Sequence, residues 1–105
     1  MDNRRKFARF PFECPISFFG DGIFGSGEVY NLSLGGCAVD SHCPVQAGLT
    51  VRVLVYVAGR VDPMPVPVAT VRWAVQDKFG IEFVTIPSSA HEKLYDVMRR
   101  LEAAS

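Results

Sequence analysis

The stretch LTVRVLVYVAG, residues 49–59, decides the fold class because its side chains alternate with the period of a β-strand. Valines at every second position from 51 to 57 fall on one face, whereas Arg52 and Tyr56 fall on the other. Arg52 also interrupts this apolar run, which is far shorter than the roughly 20 residues that a transmembrane helix requires. The stretch therefore predicts a half-buried strand, and no insertion into a membrane is expected.

Strand-like segments recur on both sides of this stretch and are joined by short turns. They are CPISFF (14–19), EVYNLSLGGCAVDS (28–41), VPVATVRWAV (66–75) and KFGIEFVTI (78–86). The glycine-rich GDGIFGSG (20–27) between the first two predicts a flexible hairpin loop. Five or six short strands with no helix between them predict an antiparallel barrel or sandwich.

The C-terminal stretch SSAHEKLYDVMRRLEAAS (88–105) changes to the period of a helix. Leu94, Val97, Met98 and Leu101 follow the i, i+3, i+4, i+7 spacing of one helical face. We expect one amphipathic helix that packs against the barrel. A chain of 105 residues is long enough for one compact domain and too short for two ordinary ones.

Charge and cysteine content narrow the function classes. Eleven basic and eleven acidic residues cancel, which argues against broad binding to DNA or RNA. A barrel that binds single-stranded nucleic acid would need a groove with cations and several exposed aromatic residues. The polar N-terminus lacks a secretory signal, and three cysteines make no disulfide framework, so reduced thiols in a cytoplasmic protein are expected.

Partial matches to catalytic and metal motifs lack the context that each motif needs. The letters G-x-G-x-x-G at 20–25 precede a strand, whereas a dinucleotide site needs a helix there. Cys37, His42 and Cys43 lie close in sequence, but a closed zinc site needs four ligands. Letters of a hydrolytic triad, Ser33, Asp40 and His42, occur without a nucleophile elbow. The sequence predicts no enzyme, no metal and no cofactor.

RRKFAR, residues 4–9, concentrates four cations in six positions. The planar fork of arginine can donate two parallel hydrogen bonds to a phosphate or to a guanine edge. In an extended segment Arg5 and Arg9 would lie about 13 Å apart, far enough to bind separate parts of one ligand. The alternative is a basic tail that only improves solubility.

NLSLGG, residues 31–36, supplies polar groups and glycines that could face those arginines. Asn31 and Ser33 are two apart and share one strand face, and glycines let a ligand approach the backbone. An ordinary polar β-bend is the alternative. Trp73, beside Arg72, could likewise pack at the rim of the barrel or stack on a base.

The two segments resemble the R-x-x-x-R and [D/N]-x-S-x-x-G signatures of the PilZ domain, a bacterial receptor for cyclic di-GMP. VRWAVQDKFGIEF (71–83) also looks like the closing pair of strands in that family. The resemblance covers almost the whole chain. It implies a six-stranded antiparallel β-barrel with a C-terminal helix, divided into a basic tail at 1–11, a barrel at 12–86 and a helix at 88–104.

The resemblance also implies the roles of individual residues. Arg5 and Arg9 would bind phosphate and guanine edges. Asn31 and Ser33 would contact a guanine from the opposing wall, and Gly36 would permit the turn between them and the next strand.

The implied function is a cyclic di-GMP receptor whose tail closes over the ligand and signals to a protein partner. Arg4, just before the first signature arginine, resembles family members that bind a stacked pair of ligand molecules. The partner would belong to motility, secretion or exopolysaccharide control, and the exposed end of the helix is a candidate dimer contact. The alternative is a PilZ-like module for protein contact with weak or no nucleotide binding.

Overall fold

The structure is a computed structural model that describes residues 10–104, which form six strands and one helix. The elements are β1 (Phe10–Gly20), β2 (Ile23–Ser33), β3 (Gly36–Asp40), β4 (Thr50–Val55), β5 (Met64–Val75), β6 (Lys78–Thr85) and α1 (Ser88–Ala104). Arg4, Arg5 and Arg9 lie outside the described residues.

The strands close into a barrel in the order β1-β2-β3-β6-β5-β4, and every neighbouring pair is antiparallel. The prediction of a six-stranded antiparallel barrel with a C-terminal helix is confirmed. Closure pairs the strands on both sides, so the sheet has no long open edge.

The barrel interior is filled by alternate residues of each strand. In β4 the side chains of Val51, Val53 and Val55 are buried, as the alternation predicts. Phe18 and Phe79 meet edge to face at the centre of this core, with ring centroids 5.1 Å apart. The apolar face of α1 packs against β5 and β1. No helix within residues 10–104 is long and apolar enough to span a bilayer.

The β1–β2 hairpin is tighter than the flexible loop that its glycines suggest. Its turn consists of Asp21 and Gly22 alone, with φ angles of 51° and 82°. Two successive positive φ angles fit a type I′ turn, whose twist matches that of the flanking strands. Asp21 Oδ2 also accepts a hydrogen bond of 3.2 Å from the Thr50 amide, which ties the turn to β4. The G-x-G-x-x-G letters therefore lie in a hairpin.

Candidate functional site

The turn between β2 and β3 is built around the hydroxyl of Ser33. Its Oγ accepts hydrogen bonds from the amides of Gly35 (3.2 Å) and Gly36 (3.1 Å) and donates one to the Gly36 carbonyl oxygen (3.2 Å). These three bonds use the full donor and acceptor capacity of a hydroxyl. Ser33 is only 3% exposed. Its clear role here is to hold the turn, and the predicted contact with a guanine stays a prediction.

Gly36 is needed because β3 approaches β6 closely. A Cβ atom at this position would fall on the carbonyl oxygen of Ile81 and lie 3.2 Å from the Cα of Glu82. The φ angle of Gly36 is not among the positive values of the chain, so the turn does not require its conformational freedom. The signature glycine thus lets β3 and β6 pair at the end of the turn, where Phe83 N donates to Gly35 O at 2.9 Å.

Asn31 lies at an irregular point of β2. The inward-facing residues Val29 and Leu32 are three apart instead of two, because Tyr30 is the extra residue of a β-bulge opposite β3. Asn31 falls between them, is half-buried, and pairs with Pro11 of β1.

The start of β1 runs alongside the same strand. Phe10 pairs with Leu32, so the described chain begins between the positions of Asn31 and Ser33. Arg9 is the residue immediately before Phe10 in the sequence, and consecutive Cα atoms are 3.8 Å apart. The described chain therefore begins next to the N-x-S-x-x-G turn, one residue after the R-x-x-x-R segment in the sequence.

A row of paired residues crosses four strands on the outer face of the barrel, from Asn31 through Ala38 and Gly80 to Trp73. The indole of Trp73 occupies the space that a side chain at position 80 would take: a Cβ at Gly80 would lie 2.6 Å from its Cε2. Trp73 remains 39% exposed. It therefore packs on the backbone of β6 and also leaves an aromatic surface open on the same face as Asn31.

A second row, parallel to the first, crosses the same strands from Ser33 through Gly36 and Glu82 to Thr70. Arg72, at a bulge of β5, places its Nη2 2.6 Å from Glu82 Oε1. Both side chains stay accessible, at 62% for Arg72 and 47% for Glu82. The alternation of residues along the predicted strands did not identify Arg72 or Glu82 as part of a site. Only the strand register brings Glu82 beside Gly36.

A charged cluster flanks the first row at the other end of β3. Lys78 Nζ lies 2.9 Å from Asp40 Oδ2 and 5.1 Å from the centre of the Tyr30 ring. The hydrogen bond to Asp40 raises the pKa of Lys78.

The residues considered for zinc or hydrolysis do not form a site. Cys37 is buried in the core, Cys43 is half-buried in the loop after β3, and the side chain of His42 is almost fully exposed. Ser33 and Asp40 lie at opposite ends of the β2–β3 pairing, about 13 Å apart at roughly 3.3 Å per residue from Gly36. Within the described part of the chain no group of three or more His, Cys, Asp or Glu residues could hold a metal ion.

The closed barrel, its C-terminal helix and the serine-held turn place the chain among small six-stranded antiparallel barrels with a C-terminal helix. The family model of the PilZ domain matches residues 3–100, and the chain belongs to the PilZ domain family. PilZ domains form a family of cyclic di-GMP receptors. No curated protein sequence matches the chain.

Solved structures share the fold at low sequence identity. The PilZ domain of YcgR from Escherichia coli, solved with c-di-GMP, has a TM-score of 0.76 and 16% identity and covers 97% of this chain and 94% of its own. The PilZ domain of CeSA from a cellulose-synthesizing bacterium has a TM-score of 0.72 and 19% identity over 90% and 98% of the two chains.

A third similar structure is the inhibitor of motility MotI/DgrA of Bacillus subtilis. It has a TM-score of 0.75 and 21% identity, with 96% of this chain covered. The chain spans about half of that protein, since the match covers 53% of it.

Proposed function

We propose that the chain is a cytoplasmic, non-catalytic receptor for cyclic di-GMP that needs no cofactor and passes its signal to a protein partner. The observation that carries the proposal is the register of β1 on β2. Because Phe10 pairs with Leu32, the described chain begins beside Asn31 and the Ser33 turn, directly after the segment that carries Arg5 and Arg9 in the sequence. The YcgR domain solved with c-di-GMP supports the choice of ligand.

Each group has a distinct role in this proposal. Arg5 and Arg9 bind the phosphates and guanine edges through charge-assisted, bidentate hydrogen bonds. Asn31 contributes an amide donor and acceptor at the edge of a guanine. Ser33 keeps the turn in shape and contacts a guanine by giving up one of its three turn hydrogen bonds, and the exposed part of Trp73 stacks on a base.

The ligand links the arginine segment (4–9) to the turn segment (31–36). Arginines bound to the same ligand as Asn31 are held against the barrel, which creates a surface that a partner can read. We infer that the partner acts in motility, secretion or exopolysaccharide control. Arg4 supports uptake of a stacked pair of ligand molecules.

Calorimetric titration with cyclic di-GMP, with GTP and GMP as controls, tests the proposal. We expect saturable and selective binding, with a ratio near two ligands per chain if a stacked pair is bound. Arg5→Ala and Arg9→Ala should each lose about 1–3 kcal/mol of binding free energy, as for a charge-assisted hydrogen bond. Arg99→Ala, on the exposed side of α1, is the matched control and should bind like the unchanged chain. Absence of saturable binding would refute the receptor assignment.

An exposed aromatic patch favours one alternative, a module for protein contact with weak or no nucleotide binding. Phe24 is 80% exposed beside Phe19, with ring centroids 6.0 Å apart, and Arg52 lies 5.9 Å from the Phe19 ring. Exposed apolar side chains of this size often mark interaction sites. Pull-down of partners with and without cyclic di-GMP separates the two functions: the receptor predicts ligand-dependent capture, whereas the contact module predicts capture that Phe24→Ser abolishes and ligand leaves unchanged.

A further inference from the structure

The ion pair of Glu82 and Arg72 lies inside the proposed binding face, although neither residue belongs to a signature. Glu82 pairs directly with Gly36 of the turn, and it is two residues from Gly80, on which Trp73 rests. Residues two apart on one strand face are separated by about 6.6 Å. Glu82 therefore follows, on the same strand face and about one base width away, the position that the Trp73 indole covers.

The charge of Glu82 indicates which part of a nucleotide it faces. A carboxylate repels a phosphate, so a dianionic ligand would not place its phosphates here. Arg72 Nη2 contacts Oε1, and a carboxylate offers about four acceptor sites, so Glu82 can accept further hydrogen bonds. Its 47% exposure leaves those sites accessible. The group suited to this position is a neutral ring with two adjacent donors.

Guanine has such a pair on its Watson–Crick edge, where N1–H and the N2 amino group point the same way. Adenine presents an acceptor at N1, which would meet the acceptor oxygens of Glu82 and be repelled. A site of this kind selects by repulsion of the wrong base as well as by attraction of the right one.

We infer that Glu82, oriented by Arg72, accepts hydrogen bonds from N1–H and N2–H of a guanine stacked on Trp73, and so selects guanine over adenine. The inference rests on the proposed function and assigns the base specificity of the same site. Arg72 is a positioning residue in this scheme, because its guanidinium fixes the direction of the carboxylate.

The test measures binding of cyclic di-GMP and cyclic di-AMP to the full chain and to Glu82→Gln. A bidentate base contact discriminates by about tenfold to a hundredfold, and Glu82→Gln should lose about tenfold or more of the preference for guanine. The glutamine amide can pair with the acceptor and donor of adenine, so affinity for cyclic di-AMP should rise. Glu92→Gln, exposed on α1, is the matched control and should keep the original preference.

Cyclic di-inosine, which lacks the N2 amino group, provides a second measurement that does not depend on a variant. The unchanged chain should bind it about tenfold more weakly than cyclic di-GMP, and this difference should shrink in Glu82→Gln. Equal affinity of the unchanged chain for cyclic di-GMP and cyclic di-inosine would overturn the role of Glu82, and so would full guanine preference over adenine in Glu82→Gln. In either case the receptor assignment stands. Failure of the unchanged chain to bind cyclic di-GMP would overturn both.

Discussion

Gly36→Ala should destabilise the fold in the absence of any ligand. The added Cβ would meet the carbonyl oxygen of Ile81, its carbonyl carbon at 3.1 Å and the Cα of Glu82 at 3.2 Å. All three are backbone atoms that cannot rotate away, so β3 and β6 must separate where Phe83 N bonds Gly35 O. Forcing an extra methyl into a packed region costs about 1–3 kcal/mol.

That cost converts into a measurable change of the melting temperature. The entropy of unfolding is about 2.1 cal/mol/K per residue, or about 0.22 kcal/mol/K for a chain of 105 residues. The melting temperature of Gly36→Ala should therefore fall by about 5–14 °C, as followed by circular dichroism.

Gly25→Ala is the comparison that isolates backbone contact. A Cβ there would lie 2.6 Å from Cys43 Sγ and 2.9 Å from a ring carbon of Phe18. These atoms, with Cys43 Cβ at 2.8 Å, belong to side chains, and Cys43 lies in a loop that can shift at lower cost than two paired strands, so this variant should lose less stability. A melting temperature for Gly36→Ala within about 2 °C of the unchanged chain, or above that of Gly25→Ala, would refute the close-approach argument.

Three further predictions concern the stability of the chain without ligand. Ser33→Ala removes the acceptor of two turn amides and should lower the free energy of unfolding by about 1–3 kcal/mol in urea titrations; an unchanged midpoint would contradict the role in the turn. Gln76 has a φ of 55° in the β5–β6 turn, so Gln76→Gly should raise the free energy of unfolding by up to about 1 kcal/mol, and a lower midpoint would oppose this. Burial, with a smaller effect of the Glu28 charge, raises the pKa of Cys14 from 9.0 to about 11. The folded chain then holds its thiol proton more tightly than the unfolded chain, so stability is lost as the pH rises from 9 towards 11, and Cys14→Ala should lose less over that range.

The barrel could be predicted from sequence because each strand carries its own alternation. The valines of 51–57 mark the inward face without reference to any other strand, and the spacing of Leu94 and Met98 marks the helix in the same way. The hairpin was predicted less well. A glycine-rich stretch fits both a long loop and a two-residue turn, and the positive φ of Asp21 that decides between them is a property of the closed pairing.

Only those parts of the candidate site whose residues are adjacent in the sequence could be predicted. NLSLGG reveals a polar turn, but its sequence does not show that the Ser33 hydroxyl is used by the turn or that Gly36 meets β6. Glu82 lies more than forty residues from that turn and reaches it through the β3–β6 register. Bulges at Tyr30 and Arg72 shift the β2–β3 and β5–β6 registers. The alternation of side chains along a strand does not show where such an extra residue is inserted.

The N-x-S-x-x-G signature also supports the fold, and this changes how variants that lose ligand binding should be interpreted. Ser33 and Gly36 maintain the β2–β3 turn and the β3–β6 pairing, so substitutions there can weaken ligand binding through the fold alone. Lost affinity in Ser33→Ala therefore does not establish a contact with guanine. Glu82→Gln is a more direct test, because its side chain is half-exposed and outside the core, and an exposed ion pair contributes only about 0.2–1 kcal/mol to stability. A change of base preference at unchanged melting temperature can come only from contact with the ligand, whereas equal losses for both bases would point back to the scaffold.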